Sequence, residues 1–258
     1  MGIRLKSEKE IDAMREGGRM LATVLELMAK KTVAGITPKE LAALAGAEIK
    51  SLGGQPETLG FHGFPDVICI SVNDQVQHTI PDNRPIQNGD VVNYDFVVRH
   101  KGMVTDAGIT VGVGQISADA RRLIKGTQEA LFAGLDIVKD GCRVGDISAT
   151  IETVLRRHKL GIVRELVGHG VGYEMHEEPE IPNYGSKGTG PTLKSGMTIA
   201  IEPITTLGNE AIVADRDGWT LWTRDKSWSA QFEHTVLVTR EGCEILTTVQ
   251  GRPLTTRH

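Results

Sequence analysis

Apolar residues recur at Ile11, Met14, Leu21, Val24, Leu25 and Met28, a spacing that gathers them on one face of a helix. Ser7 and Glu10 precede them as an S-x-x-E capping box, so the pattern predicts a first helix over about 8–31. Thr37-Pro38-Lys39-Glu40 combines a cap, an N1 proline and an N3 glutamate ahead of LAALAGAEIK, which predicts a second helix over about 38–51, closed by Gly53-Gly54. From Val67 to Gly114 the texture changes to the short β-rich runs VICISV, VVNYDFVV and MVTDAGITVGV, separated by Asn, Asp, Gly and Pro.

Helical spacing returns over about 118–138, with Leu123, Ile124, Ala130 and Leu131, and over about 146–159, with Ile147, Ile151, Val154 and Leu155. Strand-like segments dominate from about 163 onward. The order helices, strands, helices, strands fits two similar halves, each a portion of sheet covered by helices, although no repeat in the sequence proves it. No low-complexity tract or linker divides the chain, which predicts one domain over residues 1–258.

Composition narrows the function classes. The 258 residues are 40% hydrophobic and 24% charged, ordinary for a globular protein with a substantial core, and the formal net charge is −4. Without a global basic field, neither nucleic acid nor an anionic membrane is expected as a partner. Cys69, Cys142 and Cys243 are an odd, widely spaced set that cannot complete a disulfide framework, which points to a reducing compartment. The segment MGIRLKSEKE has no apolar signal region, and no stretch approaches the roughly 18 apolar residues of a membrane span, so a cytoplasmic location is expected. Gly2 follows Met1 as N-myristoylation requires, but Lys6 stands where that motif takes Ser or Thr.

Chemistry concentrates in five short strings within the strand-rich regions. VNDQVQHTIPD contains His78, and GDVVNYDFVVRHKGMVTDAG contains Asp95 and Asp106. Between the two aspartates RHKGM can reverse the chain, so a hairpin could bring the carboxylates together across adjacent strands. ELVGHGVGYEMHEEP holds His169 and His176 among glycines that permit close backbone approach to a ligand. LKSGMTIAIEPI ends an apolar strand at Glu202, and WSAQFEHTVLVT places Glu233 inside a hydrophobic strand. Each residue alone reads as an ordinary strand acid or hydrogen-bonded histidine; acids within apolar strands, however, require a partner.

Together the five strings resemble the type I methionine aminopeptidases, small members of the pita-bread metallopeptidase group. The resemblance runs from the first helix to about Thr248, with the strings in the family's order. It implies an α+β pita-bread fold, a pseudo-twofold antiparallel sheet covered by helices around a dinuclear metal site. It also implies Asp95, Asp106, His169, Glu202 and Glu233 as ligands of two divalent ions, with Asp106 and Glu233 bridging, Asp95 on one side and His169 with Glu202 on the other. His78 and His176 then face the substrate, with Glu202 as proton shuttle. The implied activity is hydrolytic removal of the initiator methionine from nascent polypeptide N-termini when the second residue is small, by a monomer that meets the ribosome transiently.

The ligand set has a physical logic. Like charges about 4 Å apart repel by roughly 4 kcal/mol at an effective dielectric near 20. Four converging carboxylates are therefore tolerable only with cations among them. Mostly oxygen ligands, one imidazole and no thiolate suit Co, Mn or Fe, and also Zn.

The resemblance further points to Thr58, Phe61, Phe64, Cys69, Met175 and Trp219 as walls of a methionine pocket, with His62 beside them. Here the chain departs from several bacterial relatives, which have Cys for Thr58, Tyr for Phe61 and Phe64, and an aromatic for Met175. Two other readings are an Xaa-Pro aminopeptidase or prolidase, which usually carries an additional N-terminal domain, and a metal-free binding module, which would have lost ligands and gained a basic surface. The short run between Glu202 and Glu233 leaves no room for the insert of type II relatives.

Overall fold

Both predicted capping boxes form. In a computed structural model that describes residues 3–256, α1 spans Glu8–Lys31, and the Glu10 carboxylate accepts from the Ser7 backbone N–H at 2.8 Å. Met1 and Gly2, considered above for lipidation, lie outside the described residues. Helix α2 spans Pro38–Ser51; Thr37 N–H donates to Glu40, and Glu40 N–H donates back to the Thr37 hydroxyl at 3.2 Å. These reciprocal bonds satisfy first-turn amides that would otherwise lack partners.

Helix α3 runs Ala118–Leu135 and α4 runs Val144–Arg157, the latter beginning and ending two residues earlier than its apolar spacing predicts. The shift has a local cause. Asp146 acts from the third helical position and accepts from the Arg143 backbone N–H at 3.0 Å, which starts the helix at Val144. At the other end Lys159 takes a left-handed conformation, φ 54°, and turns the chain out of the helix.

Between α2 and α3 lie β1 (Gln55–Pro56), β2 (Cys69–Val72), β3 (Gln75–Gln77), β4 (Val91–His100) and β5 (Met103–Gly112). After α4 come β6 (Gly161–Ile162), β7 (Gly168–Gly170), β8 (Glu177–Ile181), β9 (Thr198–Ile201) and β10 (Ile204–Thr206). They are followed by β11 (Ile212–Ala214), β12 (Leu221–Thr223), β13 (Ser229–Gln231), β14 (Glu233–Val238) and β15 (Cys243–Ile245). The principal sheet is antiparallel in the order β1-β4-β5-β14-β9-β7-β8, with β2 added on β4 and β15 on β14. A smaller sheet, β13-β10-β6, lies against it, and β11-β12-β3 forms a third.

Alternation along β4 divides its residues between two environments. Tyr94 and Phe96 are fully buried in the core shared with α1, where the Tyr94 hydroxyl meets Thr32 at the end of that helix. Burial of an aromatic of this size contributes roughly 1.5–3 kcal/mol. Asn93 and Asp95 lie on the opposite face. Helices α1 and α2 pack together with α1 on β4 and β5, while α3 and α4 pack together against β13, β10 and β6. The expected architecture of helix-covered sheet halves is thus present, and among the described residues no helix is long and apolar enough to cross a membrane.

Candidate metal centre

The sheet register gathers the acidic residues. Gly108 in β5 is the partner of Asp95 in β4 on one side and of Glu233 in β14 on the other. Paired residues of an antiparallel sheet share a face, and Asp106, two residues before Gly108, shares it too. Glu202 follows β9 directly, and His169 in β7 pairs with Ala200, two residues before Glu202. Strands β4, β5, β14 and β7, and the residue directly after β9, therefore each bring one group to the lining of one pocket.

The hairpin proposed between Asp95 and Asp106 exists, with the turn at Lys101-Gly102. The aspartates are diagonal neighbours rather than direct partners, since Asp106 faces Val97. Thr235 fixes the Asp106 backbone from the adjacent strand, accepting from its N–H at 2.9 Å and donating to its carbonyl at 2.7 Å.

One ligand atom from each of Asp106, His169 and Glu233 lies within 4.8 Å of the others, and all three residues are buried. His169 Nε2 stands 3.5 Å from Glu202 Oε1 and 3.9 Å from Asp106 Oδ2. Its other nitrogen, Nδ1, donates to the Gly170 carbonyl at 2.9 Å, which leaves the Nε2 lone pair directed at the carboxylates. Burial moves the Asp95 carboxyl up to about 7. Asp106, Glu202 and Glu233 also lie well above the ordinary carboxylate range, through burial first and their neighbours' negative charge second. His169 is pushed down to about 4, by burial and then by His176, so it is neutral at pH 7.

These residues fit a divalent metal. Asp106 Oδ1 and Glu233 Oε1 are buried without a hydrogen-bond partner, and among the described residues no lysine or arginine forms an ion pair with any of the four acids. An uncompensated charge in such a place is costly, and cations supply what the protein itself withholds.

Beside the acids opens a pocket lined by Thr58, Phe61, Phe64, Cys69, Met175 and Trp219, with His78 and His176 facing it. Phe64 and Trp219 meet edge to face with ring centroids 5.1 Å apart. Cys69 is the register partner of Asp95, which brings its thiol against the acidic end, where burial and the nearby aspartates push it up. His176 lies edge-on to His169 at 4.5 Å and faces Phe61 at 5.7 Å. His78 follows β3 in a left-handed conformation, φ 56°, a strain held at the site by its surroundings. His62 is exposed and stands at the rim, its ring 4.4 Å from that of Phe61, outside the pocket lining. A second groove, lined by Arg4, Glu174, Glu178 and Glu180, leads outward from His169 and His176.

Three features escaped the sequence reading. Lys6 forms an ion pair with Glu177 beside the His176 loop, and Asn93 and Gln231 stand next to the acids. Gln231 lies in one of the five strings, two residues before Glu233, but a polar residue within a strand gives no sign of where its amide points.

A cluster of carboxylates around one imidazole, Asp106 and Glu233 buried and Asp95 and Glu202 partly so, at the end of an apolar pocket defines a divalent-metal-dependent hydrolase. The chain belongs to metallopeptidase family M24, whose model matches residues 12–240. It is 42% identical to a methionine aminopeptidase of Clostridium perfringens over 96% of this chain and 100% of that protein. The crystal structure of methionine aminopeptidase from Rickettsia prowazekii superposes with a TM-score of 0.94 at 39% identity, covering 96% of this chain and 100% of that one. A prolidase from Pyrococcus furiosus shares the fold at 22% identity and a TM-score of 0.77, and this chain covers 65% of its length.

Proposed function

We propose that the chain is a methionine aminopeptidase that hydrolyses the first peptide bond of nascent polypeptides when the second residue is small. The observation that carries this reading is the junction of an apolar pocket with a buried acidic cluster, because a one-residue side chain and a scissile bond then fall side by side. High similarity to methionine aminopeptidases along nearly the whole chain supports the choice among peptidases.

In this reading Asp95, Asp106, His169, Glu202 and Glu233 hold two divalent ions, with Co, Mn, Fe and Zn all compatible with the donor set. Bound metal supplies Lewis acidity toward the scissile carbonyl and water of lowered pKa at neutral pH. The remaining work falls to the chain's own groups. Burial, and then His176, bring His78 down to about 4, and burial followed by His62 lowers His176. Both histidines are therefore neutral hydrogen-bond donors at pH 7, suited to the developing oxyanion and the substrate amide without adding charge that would oppose the metals. Glu202, at the edge of the cluster, carries a proton to the leaving amine. Phe64, Trp219, Phe61, Cys69, Thr58 and Met175 enclose the methionine side chain, the polarizable Met175 suiting a thioether. The groove beyond His176 gives the rest of the peptide a way out.

We read residues 1–258 as one catalytic domain, a cytoplasmic monomer whose partners are nascent N-termini and, transiently, the ribosome. The test is hydrolysis of peptides beginning Met-Ala, Met-Lys and Ala-Pro, with and without added Mn2+ or Co2+. Metal-dependent release of methionine from Met-Ala alone is expected; cleavage of Ala-Pro instead would transfer the chain to the prolidase branch.

A further inference from the structure

Next to the acidic cluster, outside the lining of the pocket, three polar side chains are bonded to one another. Asn93 in β4, Thr110 in β5 and Gln231 in β13 are all buried, and Asn93 and Thr110 are register partners. The Gln231 backbone is tied at both ends: its N–H donates to the Thr110 hydroxyl at 3.0 Å, and that hydroxyl donates to its carbonyl at 2.6 Å.

The orientation of both amides follows from their neighbours. Asn93 Nδ2 faces the Ile109 carbonyl at 3.2 Å and the Gln231 carbonyl at 3.3 Å, which are acceptors only, so that end of Asn93 must be the NH2. It also lies 3.0 Å from Gln231 Oε1, which therefore accepts. Nε2 is left to the opposite side, where it donates to Glu233 Oε2 at 3.0 Å, while Glu233 Oε1 has no partner. Gly108, between Asp95 and Glu233 in the sheet, provides the space: a Cβ there would collide with the Gln231 amide.

We propose that Gln231, oriented by Asn93, is a positioning residue that clamps Glu233 through one oxygen and presents the other to the metal. A carboxylate at the centre of four acids is pushed by its neighbours and has no cation of the protein to hold it. An amide donor that cannot rotate fixes it without adding charge. The same geometry explains why a glycine sits between two acid-bearing strand positions.

This inference rests on the metal-centre reading above, and Mn2+ binding to the chelator-stripped full chain tests the two separately. Isothermal titration calorimetry on the wild type, Gln231→Met and Asn93→Leu is the experiment, with the Mn2+-induced rise in melting temperature as a second readout. Gln231→Met keeps the volume and removes the donor; Asn93→Leu keeps Gln231 and removes its guide. Each should weaken Mn2+ binding by about 10-fold or more, as loss of a group that orients a metal ligand does. The double variant should lie within about twofold of the weaker single, because the two act through one bond. At saturating Mn2+ the peptide KM should change by less than about threefold while kcat falls, since substrate binding is not what the clamp serves. Either single variant suffices if the other fails to fold. Variants that bind Mn2+ as tightly as the wild type would overturn the proposal and leave the metal centre standing; a wild type that binds no Mn2+ would remove both.

Discussion

Lys6 and Glu177 meet at 2.7 Å with side chains only 2% and 12% exposed, joining the segment before α1 to the strand that follows His176. The other Glu177 oxygen accepts from the backbone N–H groups of Tyr173 and Glu174, and the Tyr173 hydroxyl reaches Glu10 at 3.0 Å. The loop carrying Met175 and His176 is thereby fastened to the start of the first helix. Lys6→Met leaves a half-buried carboxylate without its cation and should lower stability by about 1–3 kcal/mol. Urea denaturation checks this, and an unchanged midpoint would show that the pair contributes nothing.

Removing one acid from the cluster should separate stability from activity. Asp95→Asn or Glu233→Gln should abolish metal-dependent turnover of a Met-Ala-Ser peptide, yet leave the chelated protein at least as stable as the wild type, because one repelling charge is gone. Turnover assays and thermal melts in chelator are the measurements. Full activity in either variant would count against the ligand assignment.

The buried acids also fix the pH dependence of the metal-free protein. Their folded-state values lie above the ordinary carboxylate range, Asp95 at about 7, so between roughly pH 4.5 and 7 the native state holds more protons than the unfolded one. Stability linked to these groups is present below the unfolded value and is lost as pH rises through the folded one. In chelator the melting temperature should therefore fall from pH 5 to pH 7.5. Mn2+ should raise it more at pH 7.5 than at pH 5.5, since binding displaces protons. A chelated protein that grows more stable over that range would contradict the electrostatics of the site.

His176→Ala should lower kcat by roughly 10²-fold or more if the ring donates to the transition state, with a smaller change in KM. Steady-state kinetics at saturating Mn2+ decides; an unchanged kcat assigns the ring no such part.

Trp219→Ala opens the wall beside Phe64 and should raise KM for Met-Ala peptides by about 10-fold while admitting bulkier first residues, since the edge-to-face pair and its buried area are both lost. Competition between Met-Ala and norleucine-Ala or Phe-Ala peptides measures the change.

What was legible in the sequence is what short-range chemistry dictates. The boundaries of α1 and α2 are written in Ser7-Glu10 and Thr37-Glu40, groups that act on their own turn. The shifted start of α4 was hidden because Asp146 caps from inside the helix, where an acid reads as one more polar position. The metal-site residues stood out because acids in apolar strands conflict with their surroundings unless something compensates. The hairpin that joins Asp95 and Asp106 was legible from RHKGM, but the arrival of Glu233 opposite Gly108 depends on pairing between the distant strands β5 and β14, and only the resemblance supplied it. The Lys6 pair and the Gln231 amide are tertiary contacts with no periodic trace.

The register that unites Asp95 and Glu233 also sets an order on their assembly. Asp95 is made with β4 and Glu233 only with β14, so a chain interrupted between them holds the first acid without the second. Such a fragment also leaves one edge of β5 without its strand partner, so the sheet that carries these acids is joined across its middle only when β14 is in place.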